Sequence, residues 1–364
     1  MEQPLIDIWW AAVTAVRGDN AVQTSLDVTS IAPVDRILAV GKAACDMARP
    51  ALEMFPDAPC LIVTKHNHTT ALPRQAQIIE AGHPVPDAAS LEGGTALLNA
   101  IKSSKASDHV LVLVSGGASA VAEVLPNNLT LDTWQAETQT MVGSGADIHA
   151  INTRRKQISQ IKGGKLLSAF GGARITTLAV SDVEGDDLMV IGSGIGAAPA
   201  NPHFAFEARL VATNERARTA AQSVSDTQVI KNEECLYDDV NALAPRLGAT
   251  LRDGPAGIYI FGGEPTVELP PSPGRGGRNQ ALALLMAREI AGLSDIQILV
   301  AGTDGSDGPT GDAGGLVDGT TWGAGAEDAL LRADAGSFLA DAGALLTTGP
   351  TGTNVMDLMI ARKK

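Results

Sequence analysis

The chain has 364 residues and a formal net charge of −14, with 45% hydrophobic and 19% charged residues. That length suggests about two domains, and the composition supports ordinary globular cores. An acidic surface repels phosphate backbones and anionic lipids, which argues against nucleic-acid and membrane partners but leaves a small anionic substrate open to a few local cations.

From the beginning of the chain, Glu2 and Asp7 precede Trp9 and Trp10. A secretory signal needs a basic start and a continuous apolar core, and neither is present. No apolar run approaches the ~20 residues of a membrane helix. Cys45, Cys60 and Cys235 are odd in number and form no CxxC pair, so reduced thiols and a cytoplasmic location are expected. Strands are predicted at 36–40, 60–63, 77–79, 109–114 and 174–180, with helices to about 54 and at 90–102, 132–142 and 147–159. This β/α alternation predicts an α/β, Rossmann-like three-layer domain with a mostly parallel sheet over residues 1–207. Gly, Pro and Asn cluster at 192–203. Beyond them, strands are predicted at 209–212, 257–261, 266–269 and 296–301, with helices at 215–223 and 279–289. The second domain is placed at 208–347, and the tail 348–364 is expected to return to the first.

In such sheets, ligands bind beyond the carboxyl ends of the strands. Gly41-Lys42 follows the first strand, where a helix start attracts anions and Lys42 adds a movable charge. Nothing before it matches a P-loop. Ser115-Gly116-Gly117-Ala118-Ser119 follows the strand 109–114, and its glycines let backbone N–H groups converge on an anion; a plain tight turn is the alternative. Residues 152–165 form a basic island (Arg154, Arg155, Lys156, Lys162, Lys165), for which a solvated helix face competes with anion neutralisation. The acidic run 181–187 contains Asp182, Glu184, Asp186 and Asp187. It reads either as an exposed turn or as a Mg²⁺ site, since Mg²⁺ takes one or two carboxylates plus phosphate oxygens. Gly274-Arg275-Gly276-Gly277-Arg278-Asn279 opens a helix with two guanidinium forks suited to phosphate or carboxylate. Residues 302–308 carry Asp304 in a polar turn open to substrate or metal. Residues 192–197 approach a dinucleotide fingerprint, but Pro199 and Pro202 oppose the helix it requires.

Together these segments resemble the class II glycerate 2-kinase family, also called the MOFRL family: VGKAA (40–44), GHPVPD (82–87), SGGASA (115–120), IHAINTRRKQISQIKGGKL (148–166), SDVEGDD (181–187), FGGEPTV (261–267), GRGGRNQ (274–280), GTDGSDGPTGDAGG (302–315) and TGPTGTNVMD (348–357). The resemblance implies a Rossmann-like N-terminal domain, an α/β MOFRL domain and an active site between them. It also implies ATP, Mg²⁺ and phosphoryl transfer to the 2-hydroxyl of D-glycerate, giving 2-phosphoglycerate. The family lysine matches Lys42, its arginine Arg275, and the aspartate opening its acidic loop Asp182. Three departures are visible: SGP-x-x-PDPT is replaced over 193–202, the region between the domains is shorter than the family's, and SGGGS is SGGAS.

The expected assignment follows. Lys42, Arg275 and Asp182 are catalytic. Gly41, Ser115, Gly116, Gly117, Ser119 and Lys162 hold ATP. Arg278, Asn279 and Asp304 hold the hydroxy acid, Asp182 and Asp186 hold Mg²⁺, and a homodimer is left open. Asp182 either binds the metal or orients the attacking hydroxyl. Kinase action on another small hydroxy acid, an NAD(P)H-dependent hydroxypyruvate reductase using 192–197, and a non-catalytic acid-binding regulator are the competing readings.

Overall fold

The computed structural model describes residues 4–72, 76–143 and 148–364. Its elements begin with α1 (Leu5–Val16), α2 (Gly18–Val28), β1 (Arg36–Val40), α3 (Ala44–Met54), β2 (Cys60–Lys65), β3 (Ala76–Ala81), α4 (Ala88–Lys102), β4 (His109–Val114) and α5 (Ala118–Val121). Then come α6 (Leu131–Gly143), α7 (Ile148–Ile158), α8 (Lys165–Ser168), β5 (Arg174–Val180), β6 (Ala205–Ala212), α9 (Asn214–Val224), β7 (Val229–Glu234), α10 (Val240–Asp253) and β8 (Gly257–Gly263). The chain closes with α11 (Arg278–Glu289), β9 (Ile296–Gly302), β10 (Gly314–Asp318), α12 (Ala326–Leu331), α13 (Ala335–Asp341), β11 (Leu345–Leu346) and β12 (Asp357–Lys363).

The chain divides into two compact units, one spanning Arg17–Ala212 and the other combining the segment up to Val16 with Thr213–Lys364. In the first, six parallel strands run in the order β3-β2-β1-β4-β5-β6. Strand β4, HVLVLV, is buried at every position, as expected of a central parallel strand covered on both faces. The strand order reverses between β1 and β4, which pair in register from Arg36 with Val110 to Val40 with Val114. Their following loops therefore start side by side at the switch point. Helix α4 starts on a capping box: Asp87 accepts from the Ser90 N–H at 2.9 Å, and Ser90 Oγ accepts from the Asp87 N–H at 3.0 Å. Burial pushes the Cys45 and Cys60 thiols up to about 11 and about 12, so neither is a ready nucleophile.

The second unit holds a mixed sheet, β11-β10-β9-β12-β8-β7, in which only β7–β8 is parallel. Helix α11 supplies a continuous run of buried residues to its core. Here two expectations need correcting. The tail does not return to the first unit: β12 occupies the middle of the second sheet, between β8 and β9. Residues 266–269 form no strand, only an isolated bridge between Asp239 and Thr266, because Pro265, Pro270 and Pro271 flank the run and remove ladder donors. The start expected for α7 at Asp147 lies outside the described residues.

Candidate active site

In the first unit, the loop after β1 and the loop after β4 are stitched together. The Lys42 N–H donates to Gly116 O at 2.8 Å, and the Ala43 N–H to Ser115 Oγ at 3.0 Å. Gly41 has φ +121, and a Cβ there would lie 2.4 Å from Ser115 O, so only glycine admits this approach. Ser115 is fully buried, and its hydroxyl serves the junction between the loops. Gly117 has φ +81 and caps α5. Its N–H and that of Gly116 donate to no described residue, which leaves two adjacent donors on the turn, the kind of group from which anion nests are built. Lys42, Gly117 and Ser119 are half-buried around it.

The basic island resolves into separate roles. Lys162, expected on the nucleotide, is instead buried and ion-paired with Glu123, which is itself fully buried. Burial pushes the Lys162 ammonium down, opposed by Glu123. The turn through Gly163 (φ +64) and Gly164 (φ +80) directs this lysine inward. Lys165 Nζ donates to the carbonyls of Lys156, Gln157 and Ser159 at 2.6, 3.2 and 2.7 Å, closing the end of α7. Arg154 pairs with Glu137 at 2.6 Å.

Asp182 lies two residues past the end of β5 and is half-buried, as is Asp186, whose φ is +56. Glu184 and Asp187 face solvent. Among the described residues, no group of three or more His, Cys, Asp or Glu could hold a metal ion. Asp182 and Asp186, expected to hold Mg²⁺, both lie on the loop after β5. The fingerprint-like stretch 192–197 opens no helix. Gly192, Ser193 and Gly194 are all left-handed, with φ between 54 and 78, and hydrogen bonds from the Gly163 and Gly164 N–H groups, both 2.9 Å, pin the turn. The helix N-terminus that a dinucleotide pyrophosphate needs is therefore missing there.

In the second unit, the antiparallel register sets Asp357, the first residue of β12, opposite both Gly263 at the end of β8 and Gly302 at the end of β9. This juxtaposes the loops 264–278 and 303–312. Arg278 is held by Asp357 and Glu264, each at 2.7 Å. Burial opposes its charge, but the two carboxylates outweigh that and raise its pKa. Arg278, expected to grip a substrate carboxylate, thus already has two protein carboxylates. Asn279, expected on substrate, is 1% exposed. Asp304 is half-buried, and its Oδ1 accepts from the Ser306 N–H and hydroxyl at 2.9 Å.

Arg275 is different. Its side chain is 47% exposed, and its guanidinium pairs with the buried carboxylate of Asp312. The other oxygen of Asp312 accepts from Thr347 Oγ1 at 2.5 Å. The backbone is pinned on both sides: the Arg275 N–H donates to Asp334 at 3.0 Å, and the Gly336 N–H to Arg275 O at 2.9 Å. A guanidinium that is tethered at one edge and open to solvent on the rest suits transient contact with an anion.

Asp307 and Asp312 are absent from the expected set. The signal for Asp307 is indirect: α11 has Gly277 at its N-cap and so no side-chain oxygen of its own. Asp307 supplies it, accepting from the Asn279 and Gln280 N–H groups at 3.0 and 2.8 Å.

The parallel sheet with stitched glycine turns at its switch point and, in the second unit, the mixed sheet with its tethered arginine define a two-unit α/β protein. The chain belongs to the glycerate 2-kinase family. DUF4147, a domain of unknown function, matches residues 5–227, and the MOFRL family matches residues 257–357. A D-glycerate 2-kinase of Thermotoga maritima is 34% identical over 98% of this chain and 96% of that protein. A glycerate 2-kinase of Pyrococcus horikoshii is 33% identical over 89% and 86%. A crystal structure of glycerate kinase from Thermotoga maritima superposes with a TM-score of 0.87 at 32% identity, covering 99% of this chain and 98% of that one. No helix among the described residues is long and apolar enough to cross a membrane.

Proposed function

We propose that the protein transfers the γ-phosphoryl group of ATP to the 2-hydroxyl of D-glycerate, producing 2-phosphoglycerate and ADP. The observation that carries this reading is the stitched pair of turns at the switch point, with Lys42 and two open N–H donors on one small patch, in a chain similar over nearly its whole length to glycerate kinases. Phosphoryl transfer needs positioning and charge neutralisation more than covalent chemistry. The turn at 115–119 holds phosphate oxygens. Lys42 and Arg275 neutralise the transferring group. The 2-hydroxyl oxygen forms its bond to the γ-phosphorus as the bond to the bridging oxygen breaks. Asp182 either accepts the hydroxyl proton or would hold Mg²⁺ together with Asp186, in which case the proton leaves to solvent water. When bound, Mg²⁺ supplies charge neutralisation on the phosphates.

The deciding experiment is ADP release from ATP and Mg²⁺ with D-glycerate, L-glycerate, hydroxypyruvate and C4 hydroxy acids, with the product identified. D-Glycerate turnover with 2-phosphoglycerate as product is expected. Turnover confined to a larger acid would move the substrate and point to the altered 193–202 stretch. No turnover with any acid by the folded protein would overturn the reading. Lys42→Ala and Arg275→Ala are each expected to lower kcat by roughly 10³-fold. Near-normal turnover in both would remove these roles.

A further inference from the structure

His83 lies on the loop that leaves β3, two strands away from β1 in the parallel sheet. The loop is tight, and Asp87 organises it. Burial works against the Asp87 charge, yet hydrogen bonds from His66, the Gly82 backbone and Ser90 lower its pKa to about 2. Gln135 Nε2 adds a 2.6 Å bond to Pro86 O. The loop is thereby held from both ends, and its imidazole reaches the glycine turn after β4. A methyl group on Gly117 would stand 3.0 Å from Lys42 Cγ, 3.1 Å from His83 Cδ2 and 3.3 Å from His83 Nε2. The lysine stem and the Cδ2–Nε2 edge of the imidazole thus flank the same bare backbone position. That position also carries one of the two unengaged N–H groups. Three loops, from the carboxyl ends of β1, β3 and β4, meet there.

We infer that His83 is a phosphate-contacting residue, donating from Nε2 to a phosphoryl oxygen of the nucleotide tail that Lys42 and the Gly116–Gly117 amides also hold. This rests on the phosphate reading of the 115–119 turn. Three features of the place favour a polyanion. The donors come from three separate loops, so they match several oxygens rather than one. In a chain of net charge −14, an anion site must be assembled from local donors. The residue between the two side chains is one whose own side chain would fill the gap.

The test is calorimetric titration of the full chain with inorganic tripolyphosphate and, separately, with D-glycerate, using the natural chain, His83→Gln and His83→Leu. Gln keeps an N–H donor near the Nε2 position; Leu has similar bulk and none. The natural chain should bind tripolyphosphate, and His83→Gln should stay within about threefold of it. His83→Leu should bind roughly tenfold more weakly, as expected for a lost charge-assisted hydrogen bond. D-Glycerate binding and the unliganded Tm should be unchanged in both variants. Equal tripolyphosphate affinity in all three chains overturns the inference while leaving the kinase reading intact. A loss confined to D-glycerate overturns it by moving His83 to the acid. Equal losses in Gln and Leu with a lowered Tm overturn it in favour of a merely structural role. Failure of the natural chain to bind tripolyphosphate overturns the phosphate reading of the turn and this inference together.

Discussion

At the scale of single residues, two buried aspartates of the 303–312 loop carry separate consequences. Asp312 divides its oxygens between Arg275 and Thr347, so it sets where the guanidinium points. Asp312→Asn keeps the shape but weakens the tether, and kcat should fall by about tenfold, ~1.4 kcal/mol, with KM for ATP little changed. An unaltered kcat would show that Arg275 does not depend on this contact. Asp307 is held above the usual carboxylate range, at about 6. Burial raises it and nearby Asp357 adds to that, against the two backbone N–H bonds and Arg278. A folded-state pKa above the unfolded value means that the native chain binds this proton more tightly. The corresponding stability is fully present below about pH 4 and is lost as pH rises through about 6. Relative to Asp307→Asn, the natural chain should therefore lose on the order of 3 kcal/mol of stability between pH 4 and pH 7. Paired denaturation curves at the two pH values measure it, and a constant difference would refute it. Of these residues, the motif singles out Arg275 and Arg278, not the aspartates that hold them. Aspartates in a Gly-rich run look alike until the fold shows which one finds an uncapped helix and which one finds an arginine.

At the scale of elements, the junction between the β1 and β4 loops depends on one missing side chain. Gly41→Ala would force a left-handed φ of +121 on alanine and drive its Cβ to 2.4 Å from Ser115 O. A loss of roughly 3 kcal/mol or more is expected, seen as a drop in Tm. An unchanged Tm would mean that the loops separate at little cost. The junction was legible because the apolar strands β1 and β4 were read with their observed limits, and parallel register then brings their ends together. Helix α10, with Pro245 in its interior, was not legible, because the local signal argues against the helix that tertiary burial imposes; α3 was legible despite Pro50. The short strand β11 and the whole of β12 (Asp357–Lys363) were not legible either: nothing in LL distinguishes a strand from a loop, and a run that ends in ARKK reads as a tail before its neighbours are known. Lys162 illustrates the same limit within a motif, since a lysine in a basic run shows no sign that Glu123 waits in the core.

At the scale of the whole molecule, the first unit is an insertion. The second unit begins with α1, is interrupted at Val16, and resumes at Thr213. Helix α1 packs on α9, β9 and β12, burying Leu5, Ile8, Trp9, Ala12, Val13 and Val16. Thr353 Oγ1 donates to Val16 O at 2.6 Å. No helix is predicted over residues 5–16, and the partner α9 lies some two hundred residues away, which is why a boundary drawn at 207/208 assigned α1 to the wrong unit. Burying four side chains such as Ile8, Trp9, Val13 and Val16 contributes about 1.5–3 kcal/mol each, comparable to the entire net stability of a domain. The fragment 213–364 alone should therefore lack cooperative unfolding or aggregate. The same fragment preceded by residues 1–16 and a Gly/Ser linker should melt cooperatively, with Trp9 fluorescence blue-shifted as in the full chain. The fragment 17–212, which carries its own six-stranded sheet and core, should fold without either. If 213–364 melts as sharply, and at the same temperature, without α1 as with it, the helix contributes nothing essential and the insertion reading of the architecture fails.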